Sequence, residues 1–593
     1  MKLLRLKITD PAGFRSLPCG FEHHFRTEWS LQDELAQPDG FAPFVCAGPN
    51  GSGKSNLLEA LAAIFFQLEI LRVRRSFLPE VLQNTGQDFS PVAFELDYLI
   101  RIPAEYRGPD SPAWAKVGVW KNPGESVRFL WENQSDFDTD VYEVFKGGHA
   151  DILLPQYVLG YSSGENEILS LPFFKMRFVQ FDEYWTALAK QLPYPGRPDA
   201  RLAYLDSGFS QAILLCNLLF QDETTLQPFR EDVGIEALKE FRILIRRSIP
   251  LTRQQVETFT SGDYVLPGYT QDGYFADNAA IGLDPETGEY RLKLLYGLEG
   301  DERTSIIEKL KRCATLHFHD EATDTLILDY WVNERTKDAF RDNFDGSALS
   351  LFQALQVLLT LNLYSVSDAL KSDLYTSTSH YVGETVPTLA SDQRIMRFKF
   401  VRFTKQGVAQ PMMLKELSDG EHQLLHSLGL CLLFRDTNSL FLLDEPETHF
   451  NPDWRANFIT RLRQCLLDAG DVGQEMLITT HTPFLISDSK PDKVLVFAKD
   501  KITGAVSIRH PDYNTLGASI NKITMNTFGK RETIGGHAQA LLEALRARFE
   551  QGGEDKEALI TEIHQQLGDS VEKVLLIKAI LDANQPGDGE AQG

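Results

Sequence analysis

Cysteine is scarce in this sequence and is never closely paired. The chain of 593 residues has six cysteines and no C-x-x-C pair: Cys19, Cys46, Cys216, Cys313, Cys431 and Cys465. A disulfide framework or a structural zinc site needs several cysteines at close, regular spacing. The sequence therefore favours neither, and we expect the protein to be cytoplasmic, where thiols stay reduced.

Long apolar runs and net positive charge are also lacking. No apolar run approaches the roughly 18 residues of a membrane span, and residues 1–8 alternate basic and apolar side chains as a β-strand does. We therefore expect no membrane segment. The formal net charge is −24. Such an acidic surface repels nucleic acid, so any contact with DNA or RNA would need a local basic patch or a partner.

A complete phosphate-binding loop, G-x-x-x-x-G-K-[ST], is the clearest pattern that is present. It reads Gly48-Pro49-Asn50-Gly51-Ser52-Gly53-Lys54-Ser55. An apolar run at 41–47 predicts a strand before it, and helical spacing at 56–66 predicts a helix after it, which is the context that the motif requires. Backbone N–H groups of the loop and the helix N-terminus then bind phosphate. The predicted ATP-binding residues are Asn50, Gly51, Ser52, Gly53, Lys54, Ser55 and Asn56.

The chemistry of the site follows from four side chains. Lys54 can reach the β- and γ-phosphates, and the Ser55 hydroxyl can bind Mg²⁺. An apolar strand at 439–444 ends in Asp444 and Glu445. A carboxylate at the end of a buried strand beside the loop predicts that Asp444 is a partner of Mg²⁺, and Glu445 is placed to orient or deprotonate the attacking water. The alternative is a strand that ends in a solvated acidic turn.

Two further segments contain groups that could contact phosphate. Leu417-Ser418-Asp419-Gly420-Glu421 precedes a helical run at 422–433, so the Ser418 hydroxyl and the Gly420 N–H could bind an anion at a helix start. The alternative is an ordinary serine N-cap with a glutamate in the first turn. An apolar run at 476–480 ends at His481, which could sense the γ-phosphate through a hydrogen bond or be purely structural.

These motifs, in this order, resemble those of the ATP-binding cassette class of ATPase heads shared with structural-maintenance-of-chromosomes (SMC), Rad-fifty-like and RecF-like proteins. Within that class, D-E-P-E-T-H-F-N-P and T-T-H-T-P resemble the AAA-type ATPases of bacterial defence systems. The likeness is greatest to the PtuA-type ATPases of Septu and retron systems, also described as restriction-system-associated AAA ATPases. That narrower resemblance also depends on residues 1–17 and 161–167.

The resemblance implies a mechanism. Two heads dimerise head-to-tail, and each ATP lies between the phosphate loop of one copy and the Ser418 and Gly420 segment of the other. Glu445 acts on water and His481 contacts the γ-phosphate. Asp419 departs from the pattern of transporters, which have glycine there, and its carboxylate would either repel the triphosphate or point to solvent.

The resemblance also implies a function. It is that of an ATPase that controls a separate HNH nuclease of the PtuB type, joined in retrons by a reverse transcriptase with its RNA–DNA hybrid. The alternative is a RecF- or Rad-fifty-like clamp that binds DNA in an ATP-dependent way. A transporter subunit is disfavoured because the interval from Lys54 to Ser418 is more than twice as long as in such cassettes.

The predicted fold is α/β: a P-loop NTPase with an ABC/SMC-type head, a mixed α/β insert and a helical C-terminal extension. We place the head's N-terminal lobe at 1–165, a mainly helical insert at 166–390, the C-terminal lobe at 391–510, and at 511–593 an extension suited to docking a partner. Helices are predicted at 210–221, at 234–247 and as one long element at 347–370.

Three side-chain roles stay open at this stage. The glutamine that links nucleotide to the rest of the head in this class could be Gln156, Gln67 or Gln87. Arg15, in a G-F-R-S-L segment like the N-F-R-S of RecF-like heads, could touch nucleotide or be a plain surface arginine. A basic set at 394–405 could contact a phosphate backbone or be a solvated face.

Overall fold

In this computed structural model, residues are described over fourteen ranges. These ranges are 1–36, 41–73, 78–83, 89–137, 150–163, 168–189, 201–251, 280–284, 287–298, 305–379, 386–387, 389–466, 472–529 and 534–582. Gln87, residues 164–167 of the segment 161–167 and residues 583–593 lie outside them.

The strands are distributed along the whole chain up to residue 509. In chain order they are β1 Lys2–Ile8, β2 Glu22–His24, β3 Phe44–Ala47, β4 Phe94–Arg101, β5 Trp114–Lys121, β6 Arg128–Trp131, β7 Tyr157–Ser162, β8 Leu202–Tyr204, β9 Ile235–Arg246, β10 Ser248–Pro250, β11 Ile281–Leu283, β12 Tyr290–Lys293, β13 Leu316–Asp320, β14 Thr325–Trp331, β15 Met396–Lys405, β16 Met412–Met413, β17 Ser439–Asp444, β18 Glu475–Thr480, β19 Val494–Lys499 and β20 Val506–Arg509.

The α-helices lie between these strands and after the last of them. In chain order they are α1 Glu28–Ala36, α2 Lys54–Ile70, α3 Glu80–Gln83, α4 Leu171–Ala189, α5 Ser210–Phe220, α6 Ile306–Cys313, α7 Glu334–Asn343, α8 Ala348–Thr360, α9 Asp368–Thr376, α10 Asp419–Leu433, α11 Pro452–Leu466, α12 Pro483–Ser487, α13 Ile520–Phe528, α14 Gly536–Gln551, α15 Lys556–Gln566 and α16 Val571–Asp582.

A seven-stranded sheet organises the head. Its order is β20-β19-β3-β18-β17-β7-β8, and every neighbouring pair is parallel except β19 and β20. Parallel strands need crossover connections, and the helices that make these connections cover both faces of such a sheet. The carboxyl ends of β3, β18, β17 and β7 therefore meet at one edge.

Alternating side chains divide the core between the two faces of this sheet. On one face Val45, Phe441 and Leu443 pack in a cluster with residues of α5, α8 and α10. On the other face Phe44 and Leu442 pack with α2 and with a second, antiparallel sheet of order β2-β1-β4-β5-β6. Nearly all of α2 is buried, because the helix is mostly apolar between Leu57 and Phe66 and is covered on several sides.

The middle of the chain forms a second antiparallel sheet, of order β13-β14-β9-β15-β16. The predicted helix at 234–247 is wrong, because this segment is the strand β9. Phe241, Ile243 and Ile245 face the core and alternate with half-buried Arg242 and Leu244, which is the two-residue period of a strand and not the helical period. The predicted helix at 210–221 is confirmed as α5.

The long helix predicted at 347–370 is interrupted. α8 ends at Thr360, a short 3₁₀ segment covers Leu361–Ser365, and α9 begins after the Ser367 cap. Asn362 explains the break, because its side chain accepts from Ile395 N at 2.7 Å and donates to Met396 O at 3.1 Å, tying this turn to the start of β15.

One helical window, Ala348–Ser365, is long and apolar enough to cross a membrane by length and composition alone, within the described residues. Its Leu351, Phe352 and Leu355 are fully buried in the main core. Core helices of globular proteins commonly have this length and composition, and α8 packs as such a core helix.

The helices α14, α15 and α16 have a small core of their own. Leu542, Leu545, Leu559, Ile563 and Ile580 are buried together in a cluster separate from the two clusters of the head. The predicted fold class, a P-loop NTPase head with a mixed insert and a helical C-terminal extension, is confirmed. The division at residues 165, 390 and 510 stays a prediction; β8 joins the head sheet and β9 pairs with β15 across these boundaries.

Candidate ATP site

Four strand ends define the candidate site. Asp444, the last residue of β17, lies opposite Thr479 of β18 on one side and Ser162 of β7 on the other. Thr480 of β18 lies opposite Ala47, the last residue of β3. Ligands of open α/β sheets bind at the carboxyl ends of the strands, so these registers bring the predicted residues from distant parts of the chain to one edge.

The phosphate loop has the backbone conformation that its glycines allow. Gly48, Gly51 and Gly53 have φ angles of 146°, 73° and 99°, which residues with a Cβ rarely adopt. A Cβ on Gly48 would lie 2.5 Å from Phe497 O, and one on Gly53 would lie 2.8 Å from Ser16 Oγ. Any side chain at these two positions would therefore strain or displace the loop.

The loop also contains a buried hydroxyl with unused hydrogen-bonding capacity. Within the described part of the chain, Ser52 Oγ is buried and has no hydrogen-bond partner. Buried polar groups are normally satisfied, so this atom fits a phosphate oxygen that would accept from it. The residues present at the loop thus fit a bound triphosphate.

Lys54 occupies the interior of the loop. Its Nζ donates to Gly48 O at 3.1 Å and to Pro49 O at 3.2 Å, and lies 3.1 Å from His481 Nε2. Burial lowers the pKa of Lys54, partly offset by Glu445 and Asp444. Backbone carbonyls thus hold the ammonium group. Phosphate oxygens could replace them, and their negative charge would make the hydrogen bonds stronger.

Ser55 and Asp444 form the predicted Mg²⁺ pair. Ser55 Oγ donates to Asp444 Oδ1 at 2.8 Å, and Thr479 Oγ1 donates to the same oxygen at 2.6 Å. Burial raises the pKa of Asp444. Hydroxyl and carboxylate oxygens are the donors that Mg²⁺ prefers, so this pair fits the ion. Thr479 was missed in the sequence, where it is only one of two threonines before a histidine.

Glu445 and His481 contact each other directly. His481 Nε2 lies 3.0 Å from Glu445 Oε1, and this hydrogen bond is the main reason that the pKa of Glu445 is lowered. The φ of Glu445 is 49°, an unusual conformation for a residue other than glycine. Its N–H donates to Thr479 Oγ1 at 3.0 Å. Strained backbone of this kind concentrates at functional sites.

Within one chain, Ser418 is an ordinary serine N-cap, which is the alternative that the sequence left open. Ser418 caps α10, accepting from Glu421 N, while Glu421 Oε2 accepts from Ser418 N at 2.9 Å. Gly420 packs so closely that a Cβ would lie 2.7 Å from His449 O. No described contact joins Ser418 or Gly420 to the Lys54 group. Their action on the ATP of a second copy stays a prediction, and Asp419 is exposed to solvent.

The remaining open candidates lie away from these strand ends. Gln156 exchanges hydrogen bonds with Asn438 at the amino ends of β7 and β17, the far end from the site. Gln67 donates to Pro91 O and accepts from Lys121. Neither is in contact with the loop. Arg15 forms an ion pair with Glu59 at 2.8 Å.

Three residues of the basic set at 394–405 have partners within the chain. Arg402 pairs with Glu240 at 2.6 Å, and Arg397 donates to Ser391 Oγ at 2.6 Å. Lys405 forms an ion pair with Glu421, the residue that completes the α10 cap. This basic residue therefore supports the helix α10, which Ser418 caps.

Glu447 is a residue of this region whose role sequence reasoning missed. Its carboxyl is fully buried and accepts from Thr480 Oγ1, one residue before His481. Burial raises the pKa of Glu447 to about 7. The only signal for it is the second acidic residue of D-E-P-E, which by itself is typical of a solvated turn.

Comparison with known families gives one sequence match. Residues 309–487 match the family described as "AAA domain, putative AbiEii toxin, Type IV TA system". The matched range contains Ser418, Asp444, Glu445 and His481, and the phosphate loop lies before it. No curated protein sequence matches the chain.

Solved structures with detectable likeness include three SMC heads. One is bound to the C-winged-helix domain of ScpA: identity is 10%, coverage is 86% of this chain and 97% of that chain, and the TM-score is 0.29. A second, from Pyrococcus furiosus with an extended coiled coil and the C-terminal domain of ScpA, is 11% identical with 86% and 96% covered and a TM-score of 0.29. The SMC head of Thermotoga maritima is 10% identical with 86% and 100% covered and a TM-score of 0.28.

The strand order, the phosphate loop and the four converging strand ends define the fold of a P-loop NTPase head. More particularly, residues 309–487 are similar to a family that is described as an AAA domain.

Proposed function

We propose that this protein binds ATP with Mg²⁺ and hydrolyses it to ADP and phosphate between two copies of the head. The observation that supports this is the position of His481 Nε2, which lies 3.1 Å from Lys54 Nζ and 3.0 Å from Glu445 Oε1, beside the Ser55–Asp444 pair at 2.8 Å. Phosphate-binding, metal-binding and water-activating groups are thus assembled at one sheet edge.

Each residue has a role in this reaction. The N–H groups of residues 50–56 bind the phosphates, and Lys54 exchanges the carbonyls of Gly48 and Pro49 for phosphate oxygens. Ser55 and Asp444 would hold Mg²⁺, which supplies charge neutralisation to the β- and γ-phosphates. Glu445 accepts the proton of the water that attacks the γ-phosphorus. The hydrogen bond from His481 lowers the pKa of Glu445, and the ionised carboxylate has a free acceptor site for that proton.

A second copy completes the site in this proposal. The exposed Ser418 and the N-terminus of the 15-residue helix α10 would contact the γ-phosphate held by the other copy, because free N–H groups at a helix start favour an anion. The close packing of Gly420 on His449 would link that contact to the segment that follows Glu445. ATP would thereby join two heads and hydrolysis would release them.

The biological setting that we propose is bacterial anti-phage defence in the cytoplasm. The ATPase would be of the PtuA kind and would control a separate HNH nuclease, with a reverse transcriptase and its RNA–DNA hybrid in a retron setting. Support comes from the family match, whose description names a putative toxin and a toxin–antitoxin type, and from the resemblance of the motifs. The exposed apolar side chains Val571, Val574 and Leu575 of α16 offer a docking surface.

Two experiments test this function. Lys54→Ala should abolish ATP binding in calorimetry while leaving the melting temperature close to that of the wild type, since the change removes the phosphate ligand and a buried charge. Unchanged binding would contradict the site. Co-purification with the products of neighbouring genes tests the partner, and a chain that emerges alone when all of them are expressed would contradict the defence complex.

A further inference from the structure

A cavity of about 230 Å³ lies beside α2 and outside the ATP site. Apolar side chains form much of its wall, among them Phe14, Phe66, Phe89 and Leu171, and two cationic residues, Arg15 and Lys175, also line it. None of residues 48–56, 444, 445 or 481 lines it. It is therefore a separate space within the head, and the function proposed above does not use it.

The cavity wall carries more positive than negative charge. Of its lining residues within the described chain, Glu59 is the one carboxylate, and Arg15 pairs with it at 2.8 Å. Lys175 Nζ donates to Ser377 O at 2.7 Å, a neutral acceptor. Burial, together with the nearby charge of Arg15, lowers the pKa of Lys175 to about 8, and Glu59 offsets part of this effect. One positive charge therefore remains without a carboxylate partner in this wall.

Such a wall fits one class of ligand. A partly buried cation without an anionic partner costs free energy, and a bound anion would remove that cost. Aromatic walls favour a flat apolar body. We propose that the cavity binds a small organic anion with an aromatic ring, its charge on Lys175 and Arg15 and its ring against Phe14, Phe66 and Phe89.

A short turn links this cavity to the phosphate loop. Phe14 and Leu17 exchange two backbone hydrogen bonds of 2.8 Å and close a turn that contains Arg15 and Ser16. Ser16 Oγ donates to Asn56 Oδ1 at 2.6 Å, in the first turn of α2. Arg15 itself has a φ of 54°, so the turn is held in a sparsely populated conformation.

The link makes the cavity a regulatory site. An anion that pairs with Arg15 competes with Glu59 for the guanidinium and changes the support of the Ser16–Asn56 contact. ATP affinity then depends on whether the cavity is filled, and by linkage the affinity of the anion changes by the same factor when ATP is bound. This coupling rests on the proposed ATP binding, whereas occupation of the cavity does not.

Calorimetry on the full chain tests the proposal. The probes are 2-naphthoate, benzoate and inorganic phosphate, with 2-naphthalenemethanol as the neutral match of the first. We expect the aromatic anions to bind, and the neutral alcohol and Lys175→Met each to weaken the binding by about tenfold or more, because a charged hydrogen bond is lost. Lys116→Met, at an exposed position of β5, serves as the matched control and should bind like the wild type.

Three results would overturn the proposal. They are no binding by any probe, unchanged binding by Lys175→Met, or complete displacement of 2-naphthoate by a slowly hydrolysed ATP analogue, which would place the anion in the ATP site. Lys175→Gln repeats the test with a polar side chain, and melting curves verify that both variants fold. If ATP itself fails to bind the wild type, the proposed function fails, while the naphthoate titration still decides the cavity.

Discussion

At the scale of residues, one ring nitrogen of His481 faces two competing partners. Its Nε2 lies 3.0 Å from Glu445 Oε1 and 3.1 Å from Lys54 Nζ. A neutral imidazole nitrogen either donates or accepts, so it can satisfy only one of them. An ionised carboxylate only accepts and is a strong, charged acceptor, which favours donation from Nε2 to Glu445. A phosphate that binds Lys54 would then leave the histidine–glutamate contact in place.

Glu445→Gln should keep ATP binding and stop hydrolysis, because the amide is of nearly the same size but cannot accept a proton. Removing a general base typically costs about 10²–10⁴ in rate. ATP should then hold the variant as a dimer, which size-exclusion chromatography with light scattering detects. Hydrolysis at the wild-type rate would contradict the role, and Glu550→Gln, at an exposed position of α14, is the control.

Glu447→Gln should stabilise the protein at pH 8 and have no such effect near pH 4.5. Burial raises the pKa of Glu447 from 4.5 to about 7, so the folded state prefers the neutral carboxyl. The neutral Glu447 carboxyl contributes fully to the free energy of unfolding below the pKa that it has in the unfolded state. This contribution, about 3 kcal/mol in total, is lost as the pH rises through the pKa of the folded state. The amide keeps an acceptor for Thr480 Oγ1 and carries no charge.

Urea unfolding of both forms at pH 5 and pH 8 measures this difference. A gain that is equal at the two values, or largest at pH 5, would show that the buried carboxyl does not titrate as described. The melting profile of Glu550→Gln should follow that of the wild type throughout.

At the scale of elements, the contact of β7 with α4 depends on glycine, which has no side chain, at position 160. A Cβ on Gly160 would lie 2.5 Å from Phe173 Cζ. Phe173 is itself buried, so the ring has little room to move. The same strand pairs with β17 and ends beside Asp444. Packing of α4 on this strand therefore supports the edge where the site is formed.

Gly160→Ala should destabilise the head by about 1–3 kcal/mol, the usual cost of overpacking a core. The measurement is the midpoint of urea unfolding. Gly282→Ala is the matched control, since this glycine is also in a strand and a Cβ there would meet nothing within 4 Å. Equal midpoints for the two variants would show that the β7–α4 contact accommodates the added methyl group without loss of stability.

At the scale of the whole molecule, the proposed site needs two copies. Lys54 supplies one half and Ser418 the other, and no described contact joins them within one chain. In a two-fold symmetric dimer the same pair of surfaces occurs twice. Each half can therefore be removed separately and supplied by the other protomer.

Mixing two inactive variants should restore activity. Lys54→Ala and Ser418→Asp each destroy both sites of their own dimers, the second by placing a negative charge against the triphosphate while keeping an N-cap residue. In an equal mixture, half of the dimers are mixed and each has one intact site, so about a quarter of the sites are restored. ATPase assays of the mixture and of each variant alone measure this; no recovery on mixing would contradict the head-to-tail arrangement.

Local patterns predicted much of this protein because each depends on neighbours in the chain. The phosphate loop needs glycines at fixed spacing, and the apolar runs before Asp444 and His481 are buried strands by composition. Even the cap of α10 could be predicted from Ser418 and Glu421, which are three residues apart.

Two segments are exceptions. The run at 234–247 is predicted as a helix but is the strand β9, paired with β14 and β15. The single helix predicted at 347–370 is interrupted between α8 and α9.

The sequence by itself determined the phosphate-binding loop motif and which carboxylates, serine and histidine were predicted to accompany it. Only the tertiary structure decided that Thr479 supports Asp444, that Arg15 binds Glu59 and that Lys175 lines a cavity beside α2. Those contacts join residues that are tens to hundreds of positions apart. Their existence depends on the order and register of the strands in the sheet and on which helices cover it, and that information is not present in the local sequence of any one segment.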